Sequence, residues 1–239
     1  MGTRSLSSRL PSNESSWISP LRGESISLAF SGAGGKTTAL FLLARELLPP
    51  TANSQQPTAT RRPPSLVVTS TSHLAASQTS LADHHLIAES PDQLADLPPG
   101  LTLVTGPLAG DRTTPVNFSV LSWLRDTAKN SGLPLLIEAD GSRERPLKAP
   151  ADHEPPIPDF VYLVIVTAGL SGLGQPLDDD HIHRSRLYSD LTGLGPDQEV
   201  TPASLVRLLT HPQGGLKNIP PRARRVALLN QADTPELKS

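Results

Sequence analysis

Lys36 and Thr37 follow the turn Ser31-Gly32-Ala33-Gly34-Gly35 and precede the strongly helix-forming run Ala39–Leu48. A lysine and a hydroxyl placed just after a glycine-rich turn suit a polyphosphate. Glycines let successive backbone N–H groups turn toward phosphate oxygens, and the start of the next helix adds partial positive charge. The lysine would reach the β- and γ-phosphates and the threonine hydroxyl a Mg²⁺. Gly32, Ala33, Gly34, Gly35, Lys36, Thr37 and Thr38 are therefore the expected phosphate cradle. Gly35-Lys36-Thr37 match the end of G-x-x-x-x-G-K-[ST], while Phe30 stands where that pattern has its first glycine.

A phosphate cradle needs a metal side. Leu135-Leu136-Ile137-Glu138-Ala139-Asp140 is an apolar strand ending in two acids. A carboxylate at a strand tip can hold Mg²⁺ or its waters opposite the cradle. If the strand persists, Glu138 and Asp140 share a face, one for the metal and one to position or deprotonate water. The expected metal set is Thr37, Glu138 and Asp140. Arg143, Arg145 and Lys148 follow at once, as cations for a γ-phosphate or an anionic substrate, or as a solvated loop with internal ion pairs. His153-Glu154 reads either as an acid/base pair or as a turn.

Two further strand tips carry polar groups. Leu66-Val67-Val68 runs into Thr69-Ser70-Thr71-Ser72-His73. Thr71 there is a candidate Mg²⁺ or phosphate contact, the alternative being a turn whose hydroxyls cap the next segment. Arg225–Leu229 ends in Asn230-Gln231-Ala232-Asp233, similar to the N-K-x-D element that reads guanine. Asp233 would accept from the guanine ring N–H and amine while Asn230 supports the base, with Gln231 replacing the usual lysine. Asp178-Asp179-Asp180-His181-Ile182-His183 has the residue types of a metal site, but it reads better as an acidic turn complementing a helix dipole.

The elements that must position these groups alternate between strands and helices. A helix over about Lys36–Leu48 has Leu40, Leu43 and Leu47 on one stripe and is stopped by Pro49-Pro50. Strands are predicted at Leu66–Val68, His84–Ala88, Leu101–Val104 and Phe160–Thr167. The adjacent histidines of His84-His85 point to opposite faces, a poor metal site. A short helix is predicted from Pro91, and a longer one over Val116–Lys129 with Phe118, Leu121, Leu124 and Ala128 inward. Thr201-Pro202 opens another with a cap and a first-turn proline. The expected fold is α/β: a three-layer P-loop NTPase-like fold with a mostly parallel sheet. Residues 1–24 read as a flexible lead-in and 25–239 as one nucleotide-binding domain, short at its C-terminus; residues 51–64 read as an inserted loop.

The chain has 239 residues, a net charge of −2, 3% aromatics and no cysteine. The charge and the scarcity of aromatics argue against nucleic acid as a partner. The lack of cysteine excludes disulfides, thiolate metal sites and thiol nucleophiles. Without an apolar run of membrane length or a signal-peptide core, no membrane is expected and a cytoplasmic protein is.

SGAGGKTT, VVTSTSHL, EADGSRERPLKAPADHEPPIP, DDDHIHR and GGLKNIPPRARRVALLNQAD together resemble the YqeC family, over about Ile26–Asp233. Its members are identified as accessory proteins of selenium-dependent molybdenum hydroxylases or as selenium cofactor biosynthesis proteins. The resemblance implies a nucleotide-binding maturation factor. Its partners would be a selenium donor or molybdenum cofactor intermediate, the hydroxylase itself or other maturation proteins. Without cysteine, selenium would be carried by a partner or a bound small molecule. The leading expectation is a GTP- or ATP-binding, Mg²⁺-dependent hydrolase. A small-molecule kinase and a non-hydrolysing binding module are the alternatives.

Overall fold

The computed structural model describes residues 26–48, 65–94, 96–196, 198–235 and 237; the expected lead-in and the inserted loop lie outside them. The apolar runs form β1 (Ser27–Gly32), β2 (Ser65–Ser70), β3 (His84–Ile87), β4 (Gly100–Thr105), β5 (Leu135–Glu138), β6 (Leu163–Gly169) and β7 (Arg224–Asn230). They make one seven-stranded sheet in the order β7-β6-β1-β5-β2-β4-β3, with every neighbouring pair parallel.

A parallel sheet must be covered on both faces. The period-2 alternation of side chains supplies two faces here. Leu28, Phe30, Leu66, Val68 and Leu136 pack under Leu40, Phe41, Ala44 and Leu47 of α1 (Lys36–Leu47). Ala29, Val67, Leu135 and Ile137 pack under Val120, Leu121, Leu124 and Ala128 of α2 (Phe118–Ser131). The result is the expected three-layer α/β arrangement.

A third apolar cluster forms a small helical lobe. There α3 (Ser185–Thr192) and α4 (Pro202–Thr210) bury Tyr188, Leu205 and Leu208 with Leu147, Ala149 and Ala168. Leu147–Lys148 pairs with Ile182–His183, tying the segment after β5 to this lobe. The chain passes from β1 to β2, returns to β5 between them, then crosses to β6 on the far side of β1. Strand order thus reverses around β1, and the crevice at the carboxyl ends there is where open α/β sheets bind ligands.

Two expected boundaries move. Phe118 is the first residue of α2 and is 85% exposed, and Val120 takes the inward place. The helix starts there because Asn117 caps it, accepting from Val120 N at 3.0 Å. β6 begins at Leu163 rather than Phe160, because Val161 N donates to Pro158 O and closes a turn first.

Candidate functional site

The glycine loop joins β1 to α1. Gly32, Gly34 and Gly35 have φ of 88°, 77° and 85°, a region that only glycine enters freely. Ala33 N donates to Thr167 O (2.9 Å) and Gly34 N to Arg145 O (3.1 Å), so the first half of the loop is pinned to its surroundings. Asn230 Nδ2 pins the other side, donating to Gly34 O at 2.9 Å. The first intrahelical bond is Ala39 N to Gly35 O, so the amides of Lys36, Thr37 and Thr38 precede it as end-of-helix donors. Phe30 lies within β1, buried against α1, so the turn proper begins at Gly32. A first glycine at position 30 would sit in the strand, not in the turn.

Lys36 Nζ donates to Glu138 Oε1 at 2.5 Å, and both side chains are buried. Glu138 Oε2 is buried too and has no hydrogen-bond partner among the described residues. A buried carboxylate oxygen without a donor is costly, which marks it as a group awaiting a ligand, a water or a cation. Glu138 borders a cavity of about 230 Å³ beside the loop, lined also by Thr37, His73, Arg112, Arg143 and Glu144. Thr37 and Glu138 fit a Mg²⁺, which is bound through one or two protein oxygens and keeps several waters. No group of three or more His, Cys, Asp or Glu among the described residues could hold a metal alone.

Asp140 does not join that pair. After Glu138, Ala139 N still donates to Phe30 O (2.8 Å), but the strand has ended and the shared face with it. Asp140 instead accepts from Lys148 Nζ and, at 3.4 Å, from Gly32 N. Lys148 also donates to Gly141 O and lies 2.8 Å from Glu154 Oε2. Arg184 holds Glu154 through both guanidinium nitrogens at 2.7 and 3.0 Å. Lys148, expected over the γ-phosphate, is therefore a buried counter-ion beneath the loop. Beside it is a cavity of about 30 Å³ bordered by Ser31, Asp140 and Thr167, whose hydroxyl has no partner among the described residues. That space suits an ordered water. Burial pushes the Asp140 carboxyl above its ordinary value, against the pull of Lys148. Burial also raises Glu154, but Arg184 and Lys148 outweigh it and bring the carboxyl down to about 2.

The remaining expected residues divide. Arg143 borders the large cavity, and it and Glu144 have φ of 51° and 64°. Arg145 supports the loop through its carbonyl, while its guanidinium lies 3.7 Å from Asp180. The Thr71 hydroxyl donates to Pro156 O at 2.9 Å, anchoring a loop rather than facing the cavity. Asp233 is exposed, and Gln231 borders the cavity with its Oε1 accepting from Ser171 at 2.7 Å. His153 is 3.9 Å from Glu154, whose carboxylate is already held by Lys148 and Arg184. Asp179 accepts from the backbone and hydroxyl of Ser185 at the start of α3, the helix-end role expected of the acidic run. Arg112 and Gln78 border the cavity without having been singled out from the sequence. Position after a strand's carboxyl end was the available signal for Arg112, since it follows β4 by a short hairpin, Leu108–Ala109 with Arg112–Thr113.

A parallel three-layer sheet with a glycine loop opening onto the helix at the strand switch point defines a P-loop NTPase-like α/β protein. The family model described as YqeC protein matches residues 28–186. The uncharacterized protein YqeC of Escherichia coli (strain K12) is 35% identical over 215 residues, spanning 84% of this chain and 73% of that protein. The chain belongs to the YqeC family. No solved structure matches it. Among the described residues no helix is long and apolar enough to cross a membrane.

Proposed function

We propose that this protein binds a nucleoside triphosphate, GTP or ATP, together with Mg²⁺ above the glycine loop, and that it hydrolyses it. The observation that carries this reading is the buried pair of Lys36, first residue of α1, and Glu138, last residue of β5, with Glu138 Oε2 lacking a hydrogen-bond partner among the described residues. A polyphosphate would draw Lys36 away from Glu138, and the end-of-helix amides would take the phosphate oxygens. Mg²⁺ at Thr37 and Glu138 would offset phosphate charge. Glu138, relieved of its lysine, could then orient an attacking water. Asp140 and Lys148 hold the underside of the loop in place.

The family resemblance supports a role in maturing a selenium-dependent molybdenum hydroxylase, with hydrolysis driving a conformational step. A second reading, phosphoryl transfer to a small acceptor, is favoured by two further cations that border the same cavity, Arg112 and Arg143. Calorimetry with Mg²⁺ and each of GTP, ATP and CTP tests the binding. Saturable heat with at least one of them, lost in Lys36→Met, is expected. No heat with any nucleotide would end this reading. Phosphate release that rises only with a partner protein favours the hydrolase; turnover that needs a small acceptor favours the kinase.

A further inference from the structure

The cavity beside the glycine loop is lined by two sets of charged residues. One is the phosphate cradle, where the charge of Lys36 is already matched by Glu138. The other brings together Arg112 and, from the exposed segment after β5, Arg143 with its neighbour Glu144. Neither guanidinium has a carboxylate within ion-pair distance among the described residues.

Both arginines are held by built backbone. Arg112 sits on the hairpin after β4, which is tied to the segment after β2. Thr113 N donates to Leu74 O and Ala76 N to Asp111 O, each at 2.8 Å, and Ala75 bridges Arg112. Arg143 and Glu144 are two successive non-glycine residues in the left-handed region, closed by Arg145 N donating to Ser142 O at 3.1 Å. Such backbone is unfavourable for side chains of this size and persists where the surroundings enforce it, commonly at ligand sites. The two arginines, from segments far apart in sequence, border one space of about 230 Å³. Unpaired guanidinium forks sharing a cavity match an oxyanion, which takes paired N–H bonds from each.

We propose that Arg112 and Arg143 form a second anion subsite, distinct from the phosphate cradle, which holds the oxyanion group of a small second substrate. The anion is a phosphate or a carboxylate; both present the oxygens that the two forks require. His73 and Gln78 border the same space and can hydrogen-bond the rest of that molecule. The inference rests on the cradle being the nucleotide site, and it places the second substrate beside the nucleotide's terminal phosphate.

The test is a titration of inorganic phosphate, and separately of malonate, into the full chain saturated with Mg²⁺ and a non-hydrolysable triphosphate analogue. With the analogue's γ-phosphate in place, either anion can bind only elsewhere. Saturable binding of at least one anion is expected. It should weaken at least tenfold in Arg112→Gln and in Arg143→Gln, and less in Arg112→Lys, which keeps the charge but not the fork. Analogue affinity in these variants should change by less than twofold. A tenfold loss of analogue affinity would assign the arginines to the nucleotide's own tail and overturn the proposal. So would an absence of anion binding, or binding indifferent to both substitutions. If the wild type bound no nucleotide, the same titrations on the free protein would still decide. Anion binding lost in Arg112→Gln but kept in Lys36→Met would uphold the subsite while the nucleotide reading fell.

Discussion

Lys36 and Glu138 are 2.5 Å apart and buried, so each is the other's main compensation for leaving water. Removing one partner of such a pair is worse than removing both. Lys36→Met should therefore destabilise the fold by about 3–5 kcal/mol. Adding Glu138→Gln should recover most of that loss, because the stranded charge is gone. Urea unfolding of the two single variants and the double variant measures the coupling. Asn230 poses a different question, since its amide donates to Gly34 O. Asn230→Ala should cost about 1 kcal/mol of stability and weaken GTP and ATP binding by the same factor, because what it loosens is the loop. Calorimetry with both nucleotides checks this; a loss confined to GTP would mean that Asn230 supports a guanine base. These partners are 102 and 196 residues apart along the chain. Residue types pointed to Lys36 and to an acid at a strand tip, but no local pattern says which acid will meet the lysine.

Gly34 shows what the loop demands of the elements around it. A Cβ there would come within 2.3 Å of Gly169 N at the end of β6 and 2.7 Å of Pro146 O, both rigid backbone. Its φ of 77° adds a penalty for any other residue. Gly34→Ala should lower the thermal midpoint by several degrees, on the order of 1–3 kcal/mol, and weaken nucleotide binding at least tenfold. A scan with and without nucleotide reads both effects. The strands and α1 were legible in the sequence because buried parallel strands are continuous apolar runs and a glycine loop must stand between strand and helix. The capped α4 was legible too: Thr201 accepts from Ser204 N at 3.1 Å, with Pro202 in the first turn. The end of β5 was not. Whether Asp140 shares a face with Glu138 depends on the strand continuing past Glu138, and it ends there, leaving Asp140 paired with buried Lys148. Arg112 was hidden for a similar reason, because its wall forms only when the hairpin after β4 meets the segment after β2.

Across the whole molecule, the glycine loop and the helical lobe are joined by one chain of polar contacts, from the Gly32 amide through the charged side chains of Asp140, Lys148, Glu154 and Arg184. Acid should undo that chain in two stages. His183, beside it, is pushed down from 6.5 to about 4, by burial first and then by Arg184 and Lys148. Between those values the unfolded chain binds the proton more readily, so stability falls as the pH drops from 6.5 to 4. Glu154 is depressed from 4.5 to about 2, burial being outweighed by Arg184 and Lys148. Its contribution is fully present above pH 4.5 and is lost as the pH falls through 2, and it amounts to at most about 3 kcal/mol. Asp140 works the other way: its raised value means that the folded state binds the proton first, which softens the fall just above the ordinary carboxylate range. Denaturant midpoints taken from pH 7 to pH 3 should thus begin to drop below 6.5 and drop further below 4.5. Glu154→Gln should lower stability at pH 7 and flatten the stage below 4.5, leaving the His183 stage in place. If the substitution left the acid limb unchanged, this chain would not be what holds the lobe to the loop.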